Sequence, residues 1–206
     1  MKLLLATGSG HKIVELKRIL DSQHVLAEVV GLKDVEPYPE PVENGSTFEE
    51  NALIKARAGF LVTGLPTLAD DSGIEVDVLN RMPGVRSARW AGGHAHDGDN
   101  LDLLIRQIAD VEPERRTARF VCAMALVWAG GEIVERGVVE GVLAEEPRGD
   151  NGFGYDPIFV PLGQSRTTAQ MSAEEKDAIS HRGRALRAMI PHIEALEETS
   201  TQGDSA

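Results

Sequence analysis

The first twelve residues constrain the fold more than any other segment. A short apolar run over residues 3–7 leads directly into a glycine-containing segment, and apolar residues then recur at helical spacing from Ile13 to Leu20. This order predicts a strand, a glycine loop and a helix. The N–H groups at such a helix start attract anions, and Lys12 adds a positive charge there. The segment therefore predicts an anion site, with a tight turn and a solvated lysine as the alternative.

Later segments predict both helices and strands. Thr47 and Glu50 form a capping box ahead of a helix over residues 48–63, and Ser172 begins a second box. Residues 117–128 and 132–142, on either side of a Gly-Gly turn, predict an antiparallel hairpin. Together with the first strand–loop–helix unit, these patterns predict a mixed α/β sheet with helices packed on it.

We expect residues 1–197 to form a single domain, because no linker divides the chain cleanly. Residues 198–206 are polar and are expected to form a disordered C-terminal tail.

The charge and cysteine content exclude several classes of protein. Lys and Arg total 21 and Asp and Glu total 33, so the formal net charge is −12, which disfavours binding to nucleic acid. No apolar run is long enough to serve as a signal segment or to span a membrane. The single cysteine, Cys122, lies in an apolar run and predicts a buried side chain in a reducing compartment. These features predict a cytoplasmic protein that binds neither nucleic acid nor membranes.

Two adjacent carboxylates are the strongest candidates for chemistry. Asp70 and Asp71 precede Ser72 and Gly73 at the expected end of a strand, where successive side chains point to opposite faces. One of them could bind Mg²⁺ or take a proton from an attacking water. The alternative is a turn in which Asp70 and Ser72 cap backbone donors.

Basic side chains stand beside several loop and helix-start signals. Lys55 follows Asn51 by four positions, so both lie on one face of the predicted helix. A further helix start is expected near Ser180. Each basic residue alone is typical of a solvated surface, but the set suits a polyphosphate. Its members are Lys12, Lys55, Lys176, His181 and Arg182.

The segment over residues 149–157 is too rich in glycine for the interior of a helix or strand, and its aromatic residues indicate a shaped loop. Phe153 and Tyr155 could flank a flat ring while Asp156 reads its edge. In the alternative interpretation Phe153 packs into the core and Tyr155 lies at the rim.

Taken in order, these motifs resemble the inosine and xanthosine triphosphate pyrophosphatase family. Six blocks between residue 3 and about residue 190 carry the resemblance. They are the loop ending at Lys12, residues 47–56, residues 69–73, residues 83–89, residues 152–157 and residues 175–183. The resemblance implies an elongated mixed sheet flanked by helices, with two lobes and an active-site cleft between them.

The resemblance also implies an activity. Members hydrolyse non-standard purine nucleoside triphosphates, namely ITP, dITP, XTP and dXTP, to the monophosphate and pyrophosphate, with Mg²⁺ and as homodimers. By carry-over to matching positions, Asp71 would be the general base and a metal ligand. Glu43 would be a second metal ligand, with Glu40 as the alternative. The remaining positions would bind the substrate: Thr7, Gly8, Ser9, Gly10, His11, Lys12, Lys55, Ser72, Phe153, Gly154, Tyr155, Asp156, Lys176, His181 and Arg182.

Within that set, His181 and Arg182 would lie near the base, and a donor such as Arg182 would favour a 6-keto purine. The first loop departs from the family pattern, because Ser9 stands where asparagine is usual and His11 where glycine is frequent. Two alternatives remain open. One is a Maf-type nucleotide pyrophosphatase with another base preference, and the other is a nucleotide-binding sensor without catalysis, for which Ser9 is the only indication.

Overall fold

The computed structural model describes residues 1–93 and 96–203, with side chains as far as Glu198. The strands are β1 (Lys2–Leu5), β2 (Glu28–Gly31), β3 (Thr67–Val76), β4 (Met82–Pro83), β5 (Thr117–Trp128), β6 (Gly131–Leu143) and β7 (Phe159–Pro161). The helices are α1 (Gly10–Ser22), α2 (Phe48–Thr63), α3 (Asp97–Gln107), α4 (Ala173–Ile179) and α5 (His181–Gly203).

The strands form one mixed sheet in the order β2-β1-β3-β5-β6-β7, and β4 pairs with β3. β1 runs parallel to β2 and β3, whereas β3 with β4 and β6 with β7 are antiparallel. β5 and β6 are neighbours joined by only two residues, as the predicted hairpin requires. The predicted mixed α/β fold is therefore confirmed.

The chain divides into two compact units. The first comprises residues 1–71, residues 123–137 and the described residues from 182 onward, and the second comprises residues 72–122 and 138–181. In the first unit, Leu3, Leu4 and Leu5 of β1 are fully buried. Such a continuous apolar run is typical of a parallel strand covered on both faces. In the second unit, Ile74 and Phe120 pack with Leu104 and Phe159 in one apolar cluster.

The start of α2 follows the predicted capping box with one change. Thr47 Oγ1 accepts a hydrogen bond from the Glu50 N–H at 3.1 Å, as expected. The Glu50 carboxylate, however, accepts the N–H of Ser46 at 2.6 Å, one residue before the predicted donor. The cap fixes the first turn of α2, which carries Asn51, and so helps to place the candidate site.

The predicted strand end at Asp70 and Asp71 is wrong. Both residues lie in the interior of β3, which is continuous from Thr67 to Val76. β3 pairs with β1 at Thr67 and Leu68 and with β4 at Glu75 and Val76, and β5 is its neighbour in the sheet. These strand pairings outweigh the turn preference of Asp, Ser and Gly.

The C-terminal helix begins at His181, next to the helix start expected near Ser180. It continues to Gly203, so residues 198–203 are helical where the sequence predicted a disordered tail, and residues 204–206 lie outside the described residues. No helix in the described ranges is long and apolar enough to cross a membrane.

Candidate active site

The loop between β1 and α1 has the predicted strand–loop–helix form. Ser9 is the N-cap residue of α1, and its Oγ accepts the N–H of Lys12 at 3.5 Å. Thr7 is buried, and its Oγ1 accepts the N–H of Ser9 at 3.3 Å. Gly8, Gly10 and His11 are exposed. The loop therefore presents the start of α1 to solvent, and Ser9 uses its hydroxyl to shape it.

Lys12 belongs to a network of charges on three elements. Its Nζ lies 2.9 Å from Oδ2 of Asp70. Arg182 donates to the same oxygen through Nε at 3.3 Å and to Glu15 through a terminal nitrogen. Burial alone would raise the pKa of Asp70, but Lys12, Arg182 and Lys55 hold it well below its usual range. Asp70 is thus ionised at neutral pH and pairs with two cations.

Arg182 is enclosed by acidic partners. Its side chain is 1% exposed, and its guanidinium is engaged by Glu15 and Asp70. These ion pairs fix the start of α5 against β3 and α1, and the contact of Arg182 with the base stays a prediction.

Asp71 contacts two side chains of α2, Asn51 and Lys55. Asn51 donates from Nδ2 to Oδ2 of Asp71 at 3.0 Å. Lys55 Nζ lies 3.8 Å from Oδ1 of Asp71 and 3.2 Å from Oε1 of Glu43. The sequence places Asn51 on the same helix face as Lys55 but indicates no role for it. The four-residue spacing between them on α2 is the signal that links Asn51 to this site.

The pKa shifts of Asp71 and Lys55 suit a general base that lies beside a protonated amine. Burial raises the pKa of Asp71, and Lys55 and Asn51 offset only part of that rise. Burial would lower the pKa of Lys55, but the carboxylates of Asp70, Asp71 and Glu43 raise it overall. Lys55 therefore stays protonated, while Asp71 has a higher proton affinity than an ordinary aspartate, as a general base requires.

The carboxylates near Lys55 also fit a divalent cation. Glu43 and Asp71 share the Lys55 ammonium, whereas Glu40 is placed beside Gly8, where an added Cβ would lie 3.9 Å from its Oε1. The geometry thus favours Glu43 over Glu40 as the second ligand. Within the described ranges, no three His, Cys, Asp or Glu side chains form a complete metal cage. That is compatible with Mg²⁺, which takes one or two carboxylates and fills its remaining positions with water and phosphate oxygens.

In the second unit, Asp156 holds the loop over residues 152–157. Its carboxylate accepts hydrogen bonds from the N–H of Phe153 at 2.8 Å and from Thr168 Oγ1 at 2.7 Å, and it pairs with Lys176. Lys176 Nζ also lies 5.1 Å from the centroid of the Phe153 ring. Asp156 is buried, and its carboxylate orients Phe153 and Lys176. Its contact with the edge of a base stays a prediction.

The two aromatic residues of this loop differ in exposure. Tyr155 is 4% exposed, packs in the core cluster and donates its hydroxyl to the carbonyl of Ser87 at 2.8 Å. Phe153 is half-buried. Of the two rings predicted to flank a ligand, Phe153 is therefore the more exposed, and Tyr155 anchors the loop that carries it. The alternative, with Tyr155 at the rim, is reversed.

The remaining predicted residues of the second unit have mostly structural partners. The N–H of Gly154 donates to Asp97 at 3.0 Å. His181 is buried and stacks on Phe120, with ring centroids 4.8 Å apart and planes inclined by 14°. Ser72 is half-buried in β3.

Comparison with known proteins shows matches over almost the whole chain. Residues 3–192 match the model of the Ham1 family. A protein of Corynebacterium efficiens named dITP/XTP pyrophosphatase is 57% identical over 204 residues, covering 95% of this chain and 99% of the relative. A protein of Cutibacterium acnes with the same name is 55% identical, covering 94% of this chain and 97% of the relative.

Solved structures of related proteins also match this chain over almost its whole length. A crystal structure of a nucleoside-triphosphatase, also named dITP/XTP pyrophosphatase, from Mycobacterium abscessus superposes with a TM-score of 0.76 at 54% identity. It covers 94% of this chain and all of that one. The structure of a HAM1 protein from Coxiella burnetii has a TM-score of 0.86 at 38% identity, covering 95% of this chain and 99% of that one. The resemblance found in the sequence is confirmed, and the chain belongs to the Ham1 family.

Proposed function

We propose that this protein is a nucleoside triphosphate pyrophosphohydrolase that converts dITP, ITP, XTP and dXTP to the monophosphate and pyrophosphate. The names of relatives at 55–57% identity over nearly their full length support the substrate class. The observation that carries the chemistry is the buried Asp71, whose pKa is raised and whose two oxygens face Asn51 and Lys55.

The reaction is a displacement at the α-phosphorus. Asp71 accepts a proton from a water molecule, and the water oxygen forms a bond to that phosphorus. The bond from the α-phosphorus to the bridging oxygen of the β-phosphate breaks, and pyrophosphate leaves with that oxygen. Positioning and charge neutralisation supply most of the rate, since no covalent enzyme intermediate is needed.

Charge balance supports a requirement for a bound divalent cation. In the network around Lys12 and Lys55, counted over the described part of the chain, four carboxylates face three basic side chains. A triphosphate would add further negative charge to this group. Asp71 and Glu43 would hold Mg²⁺, which when bound neutralises phosphate charge and helps to orient the reacting groups.

The other residues bind and orient the substrate. Lys12, Lys55 and the exposed start of α1 bind the triphosphate, because protonated amines and a helix N-terminus favour anions. Phe153 stacks on the purine ring, and Lys176 is held beside Phe153 by Asp156. Ser72, Gly154, Tyr155 and His181 shape the segments that make these contacts.

A substrate panel tests this proposal. Pyrophosphate release would be measured with Mg²⁺ from dITP, XTP, dGTP, dATP and dTTP, using wild-type protein and Asp71→Asn. We expect release from dITP and XTP only, and a fall of roughly 10²–10⁴-fold in the variant, the range for loss of a general base. Release mainly from the standard nucleotides would favour the Maf-type alternative. Nucleotide binding without any release would favour a sensor, and Ser9→Asn would then be the first variant to make.

The protein is further proposed to act in the cytoplasm as a homodimer, as the resemblance implies. Light scattering on the purified full chain tests the second part, because a dimer has twice the 22.2 kDa mass of the chain. A mass equal to one chain at micromolar concentration would contradict it.

A further inference from the structure

Asn51 uses both ends of its side-chain amide inside the protein. The residue is fully buried, with 0% of its surface exposed. Its Oδ1 accepts the N–H of Gly45 at 2.8 Å, and its Nδ2 donates to Oδ2 of Asp71 at 3.0 Å. A buried amide is costly unless both of its ends are hydrogen-bonded, so these two contacts hold the group in one orientation.

The hydrogen bond with Gly45 links the loop that carries Glu43 to Asp71, the proposed general base. Gly45 lies two residues after Glu43, the second carboxylate at Lys55. A Cβ on Gly45 would stand 2.7 Å from Oδ1 of Asn51, which is too close for any other residue without a shift. The amide of Asn51 therefore connects the segment that carries Glu43 directly to Asp71.

The two oxygens of Asp71 have different neighbours on α2. Asn51 holds Oδ2, and Lys55, four residues further along the same helix face, lies nearest Oδ1. Asn51 presents a neutral donor and Lys55 a charged one. The carboxylate is thus oriented with Oδ1 toward the side where Lys55 and Glu43 meet.

We propose that Asn51 is a positioning residue for the reaction: by holding Oδ2 of Asp71 and the backbone at Gly45, it makes Oδ1 the oxygen that accepts the proton of the attacking water. This inference rests on the proposed function, since it assigns one oxygen of the proposed base. Asn51 does not touch the substrate. Its effect passes through Asp71, and it should therefore alter turnover far more than nucleotide binding.

The first experiment compares Asn51→Ala with Asn100→Ala. Asn100 is a close match, being 1% exposed, with Oδ1 accepting the N–H of Ala91 at 2.7 Å and Nδ2 donating to the carbonyl of Ala88 at 3.3 Å. Both substitutions remove one acceptor and one donor from a buried helical site. Only the first removes a bond to Asp71.

We expect Asn51→Ala to lower kcat for dITP by about 10–100-fold, the usual range when a group that orients a functional side chain is removed. The Kd of a dITP analogue with a methylene bridge between the α- and β-phosphorus should change less than about threefold. Asn100→Ala should keep kcat within about twofold of wild type. An unchanged kcat in Asn51→Ala, or a Kd weakened as much as kcat falls, would overturn the proposal.

Asn51→Asp tests which of the two contacts matters. This variant keeps an acceptor for the N–H of Gly45 but removes the amide donor to Asp71. If Asn51 acts through Asp71, its kcat should be as low as that of Asn51→Ala. A kcat equal to wild type would show that the loop contact alone is sufficient, and the proposed role would be wrong.

A stability measurement separates this proposal from the proposed activity. Thermal midpoints would be compared for wild type, Asn51→Ala, Asp71→Ala and the double variant, because alanine removes the oxygen to which Asn51 donates. We expect the decreases in Tm not to add, because the two residues share one hydrogen bond. Additive decreases would overturn the positioning role even in an active enzyme. Absence of pyrophosphate release from wild type, with non-additive Tm values, would instead locate the failure in the proposed function.

Discussion

The ammonium of Lys12 lies 2.9 Å from the carboxylate of Asp70, so a lysine expected to meet phosphate is also one partner of a buried acid. Asp70 is in the interior of β3, and Arg182 from α5 contacts the same oxygen. The position of Lys12 is therefore set by a strand and a second helix as well as by its own loop.

Asp70→Asn should destabilise the protein substantially. The substitution keeps the shape but leaves Lys12 and Arg182 without their shared carboxylate, and breaking a buried ion pair costs about 3–5 kcal/mol. Urea denaturation at pH 7 measures the difference in the free energy of unfolding. Asp110→Asn, at an exposed position, is the control and should change that free energy by less than about 0.5 kcal/mol.

Wild type and Asp70→Asn should also differ in how their free energy of unfolding depends on pH. The pKa of Asp70 is lower in the folded chain than in the unfolded chain, where an aspartate titrates near 3.9. Its contribution to stability is therefore complete above that value and is lost as the pH falls toward the folded pKa. The difference in urea midpoint between wild type and Asp70→Asn should therefore become smaller as the pH is lowered from 7 to 5 to 3. A constant difference would contradict the assignment.

Lys55→Met should tighten the binding of a divalent cation to the nucleotide-free protein. The Lys55 ammonium contacts both Glu43 and Asp71, so its removal takes away a positive charge that competes with a divalent cation for these two carboxylates. Calorimetric titration with Mg²⁺ measures the change, and we expect a Kd lower by about tenfold or more, or about 1.4 kcal/mol. Turnover of dITP should fall at the same time. Lys33→Met, at an exposed position, should leave both quantities unchanged.

Phe153→Ala should raise KM for dITP with little effect on kcat. Phe153 is the half-buried aromatic ring of its loop, and stacking of an aromatic side chain on a base contributes about 1–3 kcal/mol. The expected increase in KM is therefore at least about fivefold. Phe60→Ala removes a ring of similar burial from α2 and is the control. Equal KM values for both variants would refute stacking by Phe153.

Gly152→Ala should distort the loop over residues 152–157, because the added methyl group would clash with Asp156. Gly152 has a φ of +78°, and a Cβ there would overlap the carboxylate of Asp156. Asp156 would have to move, which breaks its contacts with Phe153 and Lys176. Gly163→Ala is a matched control, because Gly163 has a φ of +79° and nothing within 4 Å of an added Cβ. Both should lose stability from backbone strain, but only Gly152→Ala should also raise KM.

Local signals predicted much of this fold because they act within one element. The capping residues before α2 and α4 predicted helices that begin where expected, and the Gly-Gly turn predicted the hairpin of β5 and β6. Asp70 and Asp71 show where such reasoning stops. Their turn preference is local, whereas the strand that contains them is stabilised by neighbouring strands distant in sequence.

The sequence predicted which residues gather at the candidate site better than it predicted which of them are exposed. Charged residues were expected to gather, and Lys12, Lys55 and Asp71 do have charged partners. Which member of a set is buried depends on packing that no local pattern contains. Arg182 and Tyr155 were therefore expected to face a ligand but are enclosed by the protein.

The thiol of Cys122 can report transient opening of the sheet around β5. It is the single cysteine of the sequence, and it lies fully buried in β5. Thiol reagents react only with a thiolate that they can reach, so labelling of the native protein must wait until β5 is transiently exposed. The labelling rate, measured by mass spectrometry without any engineered probe, then reports how often the centre of the sheet opens, and nucleotide should slow it by mass action.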